Sequence, residues 1–373
     1  MHKKFLITAA LLSTVAEASY AQNSMTLYGL VDSAIGYTNN MGATNGRTNY
    51  GLQAFSGGMQ ANRFGMLGVE DLGGGTKTTF RLENGFNIQN GALGQGGRMF
   101  GRSAWVALGN DSWGTVTAGR RYMPFQEDVG NEIAANYMSG YTFHPYDNDD
   151  MNATFRPNNA VKYTSPTIDG VTTKALYAFS NLAGEINTNR LWSGSADYVN
   201  GLLHLDAGFF TVKQPGYSTA GAESSDNTYG ALPTIAAGGI AKHTVWGVGA
   251  SYTFGPVLTN LAYTRATFDA TVGGTLSFNN FETSARYWLT SATALTAAYL
   301  YSTQKSTVAS NANTHYNQVA LGVNYYLSKS TDVYSNIVYQ RAAGNSVAWI
   351  LNETAPSATN GQLLAMVGIR KKF

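Results

Sequence analysis

The residue pattern that most limits the fold is a regular alternation of apolar residues with small or polar ones. It is clearest in one stretch near the middle of the chain, where Trp246, Val248, Ala250, Tyr252 and Phe254 alternate with Gly247, Gly249, Ser251 and Thr253. A period of two is that of a β-strand whose faces meet different surroundings. Helical periodicity is almost absent. The sequence therefore predicts an all-β fold.

The polar side of these segments does not have the composition of an ordinary water-soluble sheet surface. It holds glycine, serine, threonine, asparagine and tyrosine with occasional arginine, and charged residues form 12% of the chain, against about 25% in typical soluble domains. The chain has no cysteine, so no disulfide contributes to its stability. After the N-terminus, no segment approaches the ~20 consecutive apolar residues of a membrane-spanning helix.

Sixteen alternating segments can be counted, and most have about the 9 to 11 residues that a tilted membrane-spanning strand needs. They are residues 25–37, 62–71, 76–87, 98–109, 113–121, 159–165, 172–180, 190–200, 202–210, 244–254, 257–267, 278–289, 293–302, 315–327, 331–341 and 362–373. Short turns interleave with long connections, which are 38–61, 88–97, 122–158, 181–189, 211–243, 268–277, 303–314 and 342–361. This layout predicts a sixteen-stranded antiparallel transmembrane β-barrel with both termini on the turn side. Closure completes every hydrogen-bond ladder, as a bilayer requires.

The N-terminus has the features of a secretory signal peptide. Lys3 and Lys4 precede an apolar stretch, and a small-x-small cleavage site ends at Ala21. We therefore expect residues 1–21 to be removed and residues 22–373 to form the barrel. The 24 basic and 22 acidic residues of the chain leave no basic surplus of the kind that nucleic-acid binding requires.

Six stretches of the chain carry recognisable motifs. They are SMTLYGLVD (24–32), NRFGMLGVEDLGGGTKTTFRLENGFN (62–87), FGRSAWVAL (100–108), WGTVTAGRRYMP (113–124), RPNNAVKYTSP (156–166) and GIRKKF (368–373). In combination they resemble the general porins of Gram-negative outer membranes, specifically the β-proteobacterial branch of trimeric sixteen-stranded diffusion porins. The resemblance implies a water-filled channel for passive passage of ions and small hydrophilic solutes. It also implies a homotrimer surrounded by outer-membrane lipid and lipopolysaccharide, with no cofactor.

The resemblance further implies a basic wall at the narrowest part of the pore. Arginine on the lipid face of a barrel costs roughly 2 to 4 kcal/mol at mid-bilayer, so arginines on strands are expected to face the lumen. The residues that match the family's basic ladder are Arg63, Arg102 and Arg156. Arg81 and Arg120 also lie on predicted strands. For Arg120, a rim position with no part in transport is equally well supported.

In the family the third long loop folds into the barrel, and here the corresponding connection, 122–158, is rich in carboxylates. The acidic candidates for the pore lining are Glu83 on the same strand face as Arg81, and Glu127, Asp128, Glu132 and Asp147 on the loop. Opposed charges across a lumen create a transverse field that selects ions. For the acidic run near 147–150, a solvated loop tip or a cation site is an equal alternative. We expect the strand arginines to dominate, which favours weak to moderate anion preference.

The remaining candidates concern assembly and catalysis. Phe373 ends an alternating last strand and resembles the family's assembly signal. Catalysis has little support, because the chain has neither cysteine nor a His-x-x-x-His pair for a metal site, and His204 with Asp206 on one strand face also fits plain lumen polarity. Two other functions stay open: a substrate-selective channel with an aromatic slide, and a surface adhesin or receptor that works through its long loops.

Overall fold

The computed structural model describes residues 23–44, 47–223, 227–235, 239–308, 313–344, 346–353 and 355–373. The predicted signal peptide, residues 1–21, lies outside the described residues. The described chain forms one antiparallel sheet whose strand order follows the chain and whose first and last strands pair with each other. The prediction of a closed all-β barrel is confirmed.

The described residues contain seventeen strand segments and a few short helices. The strands are β1 (Ser24–Thr44), β2 (Arg47–Ser56), β3 (Arg63–Gly73), β4 (Thr76–Gly85), β5 (Ser103–Asn110), β6 (Gly114–Arg120), β7 (Ala160–Thr164), β8 (Val171–Ala178), β9 (Leu191–Asn200), β10 (Leu203–Lys213), β11 (Ile240–Phe254), β12 (Val257–Ala270), β13 (Thr275–Thr290), β14 (Thr293–Ser306), β15 (Thr314–Ser328), β16 (Thr331–Gly344) and β17 (Gly361–Lys372). The helices are α1 (Pro124–Asp128) and the 3-10 turns Gln95–Gly97, Val129–Glu132, Ala134–Asn136, Pro145–Asp147 and Tyr229–Ala231.

One strand position of the barrel is built from two strand segments. β3 pairs with the first part of β1, and β2 pairs with the rest of β1 on the same side. Residues 57–62 between them leave the sheet, and the backbone N–H groups of Met59 and Gln60 donate to the buried carboxylate of Asp32. When β2 and β3 are counted as one strand position, the barrel has the predicted sixteen strands. The predicted loop at 38–61 is wrong for residues 38–44 of β1 and for β2, whose apolar outward residues are limited to Tyr50, Leu52 and Ala54.

The connections also differ from the predicted lengths. The long connection expected at 268–277 is a turn of residues 271–274, whereas the short turn after β7 has its predicted length and covers residues 165–170. The reason is that β11–β16 are 14 to 16 residues long, more than the ~9–11 that cross a bilayer. These strands extend past the membrane on the long-loop side, so part of the predicted loop length is strand.

The two faces of the wall have opposite character. Outward side chains on the later strands are apolar and exposed, as at Leu261, Phe281 and Leu321, while lumen-facing neighbours such as Asn280 and Gln318 are polar and buried. Four aromatic residues are exposed on the outer face of the wall or at the end of the chain: Tyr37, Phe254, Tyr325 and Phe373. Tyr326 instead has lumen parity and contacts Arg286. None of the described helices is long and apolar enough to cross a membrane.

The C-terminal residue completes the seam between β1 and β17. The Gly29 N–H donates to the Phe373 carbonyl at 2.9 Å, and the Phe373 N–H donates to the Gly29 carbonyl at 3.1 Å. A Cβ at position 29 would collide with the Phe373 ring. Glycine at this position therefore lets the terminal aromatic ring lie flat against the first strand.

Loop 3, defined here as residues 121–159, folds into the barrel between β6 and β7. Phe125 on α1 packs edge-on against Phe210 of the wall, with ring centres 5.6 Å apart. Gly208 and Gly247 on the lumen faces of β10 and β11 leave the space that this ring occupies, because a Cβ at either position would lie 3.3 Å from it. Small lumen-facing residues thus make room for the loop, which narrows the pore.

Candidate functional site

Loop 3 and the facing wall enclose a space of about 700 Å³ in the lumen. Its charged lining residues are Arg63, Arg102, Glu127 and Arg156, and its loop 3 side is otherwise largely amide, hydroxyl and small groups. The three arginines predicted for the basic wall therefore meet around one space, although they come from β3, the end of the connection before β5, and the end of loop 3.

Arg102 is held in place by Glu83 on β4. The Arg102 Nε lies 2.7 Å from Glu83 Oε1, and the Tyr28 hydroxyl donates to the other carboxylate oxygen at 2.7 Å. Both side chains of the ion pair are about 7% exposed. Glu83 thus has the lumen-facing parity that was predicted. Its negative charge is paired with the positive charge of Arg102 and is not presented alone to the lumen.

Arg63 and Arg156 have no such carboxylate partner among the residues that the structure describes. Arg156 Nη2 donates to the Tyr122 hydroxyl at 3.0 Å, and its guanidinium lies 4.6 Å from the centre of the Tyr122 ring. Arg102 approaches the same ring at 5.8 Å. The face of an aromatic ring attracts cations, so Tyr122 orients two guanidinium groups without neutralising them.

The acidic end of α1 attaches loop 3 to the basic part of the wall. Glu127 lies 2.8 Å from Arg121 Nη2 and 2.5 Å from Lys162 Nζ. Asp128 pairs with Lys174. Burial alone would raise the pKa of Glu127, but Lys162 and Arg121 lower it below its usual value. Of the loop carboxylates predicted for the lining, Glu127 borders the space, and Asp128 is buried against the wall.

Glu132 and Asp147 do not reach the lumen space, which corrects the prediction for both. Glu132 is 3% exposed and accepts a hydrogen bond from Asn260 Nδ2 at 3.0 Å. Asp147 is also 3% exposed and accepts hydrogen bonds within loop 3, from the Asn152 N–H at 2.8 Å and the Thr154 hydroxyl at 2.7 Å. The physical reason is that a loop folded into the barrel buries its own side chains. A loop carboxylate that is far in sequence from any strand can therefore still be buried.

The acidic run at 147–150 is an internal part of loop 3 rather than a solvated tip. Asp149 and Asp150 are at most 1% exposed. Burial raises the pKa of Asp147 to about 6, and burial together with Asp147 raises the pKa of Asp150 well above its usual value. In the described part of the chain, no three or more His, Cys, Asp or Glu side chains are grouped to hold a metal ion.

A buried histidine ties the far part of loop 3 to β13. His144 Nδ1 lies 2.7 Å from Asp149 Oδ2, and its Nε2 lies 3.3 Å from Glu282 Oε2. Burial alone would lower the pKa of His144, but the two carboxylates raise it to about 10. The imidazolium form is therefore stable at neutral pH. Asp149 also accepts a hydrogen bond from Thr264 on β12 at 2.5 Å.

Arg120 does not line the lumen. Its guanidinium donates to the Gly101 carbonyl at 2.8 Å, the Arg156 carbonyl at 2.7 Å and Asn158 Oδ1 at 2.6 Å. It therefore joins the ends of three chain segments. Arg121, which sequence reasoning missed, has the lumen parity instead. The signal was present, because Val116 and Ala118 are the outward residues of β6 and the next lumen-facing positions are 119 and 121.

Arg81 faces the lumen two residues along β4 from Glu83, on the side of the short turn. Its guanidinium lies 5.6 Å from the Tyr28 ring centre and 5.7 Å from that of Trp105. Arg286 on β13 is, after Arg121, the second arginine that sequence reasoning missed. Its guanidinium lies 4.5 Å from the Trp288 ring centre. Neither has a carboxylate partner among the described side chains, so both leave positive charge beside the pore.

A closed barrel with a loop folded inside it and a charged, narrowed lumen is the architecture of an outer-membrane channel. The model of the Gram-negative porin family matches residues 8–345 of the chain, and the chain belongs to that family. It is a channel of the outer membrane for passive diffusion.

Individual relatives agree with this assignment. An outer membrane porin protein of Bordetella pertussis is 33% identical over 302 residues, which cover 73% of this chain and 71% of that protein. Outer membrane porin protein 32 of Delftia acidovorans is 27% identical over 384 residues, with both chains covered completely.

Solved structures show the same fold. An anion-selective porin from Comamonas acidovorans superimposes with a TM-score of 0.77 at 24% identity, over 94% of this chain and all of that one. The trimer form of an outer membrane protein of Vibrio cholerae superimposes with a TM-score of 0.65 at 15% identity, over 94% of this chain and 99% of that one.

Proposed function

We propose that this channel is a general diffusion porin whose constriction lies beside loop 3 and favours anions. The observation that carries the proposal is the charge around the lumen space. Three arginines and one carboxylate border it, and that carboxylate, Glu127, already lies against Arg121 and Lys162. Fixed charge acts strongly in a narrow pore with low-dielectric walls. The Comamonas porin of the same fold is anion-selective by its description.

The basic side of the proposed constriction is Arg63, Arg102 and Arg156, with Arg81 as a further cation toward the short-turn side. Its acidic side is Glu127, together with Glu83, whose charge is used to orient Arg102. The other loop 3 carboxylates serve to attach the loop. We propose no catalytic role for His204 and Asp206, since Asp206 lies beside the carboxyl group of Glu132 and ordinary lumen packing accounts for its position.

The test of general diffusion is the conductance of the protein in planar bilayers. We expect single-channel conductance to rise in proportion to KCl concentration, with a zero-current potential across a KCl gradient that shows chloride preference. Saturation of the conductance, or its block by one small solute at low concentration, would favour a substrate-selective channel instead. Binding by the loops without any conductance in sealed bilayers would favour an adhesin or receptor.

We also propose that the barrel forms a homotrimer through its first and last strands. The outer face of β1 and β15–β17 has a shallow groove of about 610 Å³, lined by small and apolar side chains such as Ser33, Ile35, Val367 and Ile369. Apolar contact between identical walls would fill it. The Vibrio cholerae protein of the same fold is described in a trimer form. The rest of the wall would meet outer-membrane lipid and lipopolysaccharide.

We propose further that residues 1–21 are an export signal and that the mature protein is residues 22–373. The basic start, apolar stretch and small-residue cleavage site support this. Mass spectrometry of the protein from outer membranes should give the mass of residues 22–373. The mass of the full chain would contradict the proposal.

A further inference from the structure

A single tyrosine at the start of loop 3 lies beside two of the three lumen arginines. Tyr122 borders the lumen space together with Arg102 and Arg156. The Arg156 guanidinium lies 4.6 Å from the centre of the Tyr122 ring, and the Arg102 guanidinium lies 5.8 Å from it. Both distances are within the range of a cation–π interaction. A change of charge on this one side chain would therefore act on both arginines.

The Tyr122 hydroxyl accepts a hydrogen bond and donates none within the part of the chain that the structure describes. Arg156 Nη2 donates to the hydroxyl oxygen at 3.0 Å. Loss of the phenol proton to water in the lumen therefore breaks no hydrogen bond within the described chain. It also turns the existing bond into one between two opposite charges, which is stronger than a bond to a neutral acceptor.

The two arginines beside this phenol are fixed by other contacts. Glu83 accepts a hydrogen bond from Arg102 Nε at 2.7 Å. Arg156 is 3% exposed, and its backbone carbonyl accepts a hydrogen bond from Arg120 Nη1 at 2.7 Å. A negative charge on the Tyr122 oxygen would consequently stay next to both guanidinium groups.

The charges around the phenol favour loss of its proton. Burial alone would raise the pKa of Tyr122, but the adjacent Arg102 and Arg156 lower it below its usual value, which is about 10. The opposing charge is that of Glu83, which already pairs with Arg102. We therefore expect the phenolate to form below the pH at which an ordinary tyrosine ionises.

The remaining charged groups near the phenol do not change this direction. Arg63 on β3 adds a third positive charge beside it. The carboxylates of loop 3 act elsewhere: Asp150 interacts with Arg156, and Glu127 pairs with Arg121 and Lys162.

We propose that Tyr122 is a specificity-determining residue of the pore, whose phenol form orients Arg102 and Arg156 and whose phenolate form, at alkaline pH, cancels one of their positive charges. The proton released goes to water in the lumen. The preference for anions then declines as pH rises. This inference rests on the proposed function only for the sign of the preference at neutral pH, because an added negative charge shifts the preference toward cations from any starting value.

The test is the zero-current potential across a KCl gradient in planar bilayers at pH 7 and at pH 10, for the wild type and Tyr122→Phe. The phenylalanine ring keeps its position beside both arginines, so the two proteins should have similar chloride-to-potassium permeability ratios at pH 7. Between pH 7 and pH 10 we expect the wild-type ratio to fall by about twofold or more beyond any fall in the variant. Other groups that lose protons in this range, including His144, are present in both proteins.

The matched control is Tyr141→Phe, which removes a hydroxyl group that is not next to an arginine. Tyr141 borders the same space, and its ring packs edge-on against Phe55 with ring centres 5.4 Å apart. Burial, together with the carboxylates of Glu353 and Asp32, raises the pKa of Tyr141, so this variant should show the full wild-type fall. An equal fall in the wild type and Tyr122→Phe, or loss of the fall in Tyr141→Phe as well, would overturn the proposal.

The same measurement separates this proposal from the proposed anion preference. A wild type that prefers cations at pH 7, and moves further toward cations at pH 10 only when Tyr122 is present, would contradict the anion preference and support the role of Tyr122. If Tyr122→Phe does not assemble, replacement of Tyr122 by 3-fluorotyrosine serves instead. Fluorine lowers the pKa of a phenol, so the midpoint of the fall must move to lower pH, and an unchanged midpoint overturns the proposal.

Discussion

Guanidinium groups dominate the narrow part of the lumen because most nearby carboxylates already have partners. Glu83 faces Arg102 at 2.7 Å, and Glu127 faces Lys162 at 2.5 Å. We therefore expect the lysines of β7 and β8 to contribute to the ion preference of the pore, although they are not among the three lumen arginines. They neutralise loop carboxylates that would otherwise cancel the arginine field.

Removing those lysines should shift selectivity toward cations. In Lys162→Met/Lys174→Met, Glu127 and Asp128 lose their ammonium partners and present net negative charge to the lumen. We expect the chloride-to-potassium permeability ratio to fall by about twofold or more, since fixed charges set ion preference in a pore. The control Lys329→Met/Lys371→Met removes the same charge at a turn position and at an exposed outward position of β17, and it should leave the ratio nearly unchanged. An equal shift of the permeability ratio in both variants would mean that the net charge of the protein, and not the charge at the lumen, determines the ratio.

The anchor at His144 gives the loop a defined pH dependence. The pKa of this imidazole is raised to about 10, above its ordinary value of about 6.5. The folding stability that the raised pKa of His144 contributes is fully present at pH values below the ordinary pKa of histidine. It is lost as pH rises through about 10. We expect current fluctuations from loop 3 movement to increase between neutral pH and pH 10.

The matched variant for this prediction is His144→Phe, which cannot be protonated. It leaves Asp149 and Glu282 without their shared cation, a change that typically costs about 3–5 kcal/mol for a buried pair. Fluctuations should therefore be high at every pH and nearly independent of it. A wild-type channel that is equally quiet at pH 7 and pH 10 would show that other contacts hold the loop.

At the scale of the strand, residue parity is what the sequence predicts well. Alternation located all sixteen strand positions. The cost of arginine on the lipid face gave Arg63 and Arg81 their lumen side, and the two-residue spacing from Arg81 gave Glu83 the same side. It also contained the distinction between Arg120 and Arg121, through the outward residues Val116 and Ala118. The period of two is enforced by the bilayer at every position, which is why a single sequence is enough to detect it.

Loop 3 could not be predicted in the same way. Its path depends on contacts between residues far apart in sequence, such as Phe125 with Phe210 and His144 with Glu282. No periodicity links such pairs. Glu132 and Asp147 consequently resemble exposed loop carboxylates in the sequence and prove to be buried. The interruption between β2 and β3 is another such feature, since Asp32 organises it from a different strand.

The last strand provides a prediction at this scale. Phe373 exchanges two backbone hydrogen bonds with Gly29 across the seam and ends the alternating pattern of β17. Deleting it should lower the amount of protein assembled in the outer membrane, because the terminal ring and the final ladder bonds are lost together. Channels that do insert should conduct normally. Unchanged assembly of the deletion variant, measured against Lys372→Gln as a control, would remove the role of the terminal aromatic residue.

For the whole molecule, the proposed trimer predicts a heat-modifiable oligomer. Packing of the apolar seam of β1 and β15–β17 would survive mild detergent and be lost on boiling. Unheated protein should therefore migrate more slowly in gels than boiled protein, and Ile35→Asp/Val367→Asp should convert it to monomers that still conduct. Identical monomer migration before and after boiling of the wild type would contradict the trimer.

The central claim is that the three lumen arginines, and not the loop carboxylates, set the ion preference of the pore. The zero-current potential across a KCl gradient tests it most directly, in the wild type and after stepwise change of Arg63, Arg102 and Arg156 to Ser. We predict chloride preference in the wild type that decreases with each substitution and is lost in the triple variant, while Arg265→Ser/Arg341→Ser on the outer wall has no effect. Cation preference in the wild type, or an unchanged potential in the triple variant, would contradict the claim.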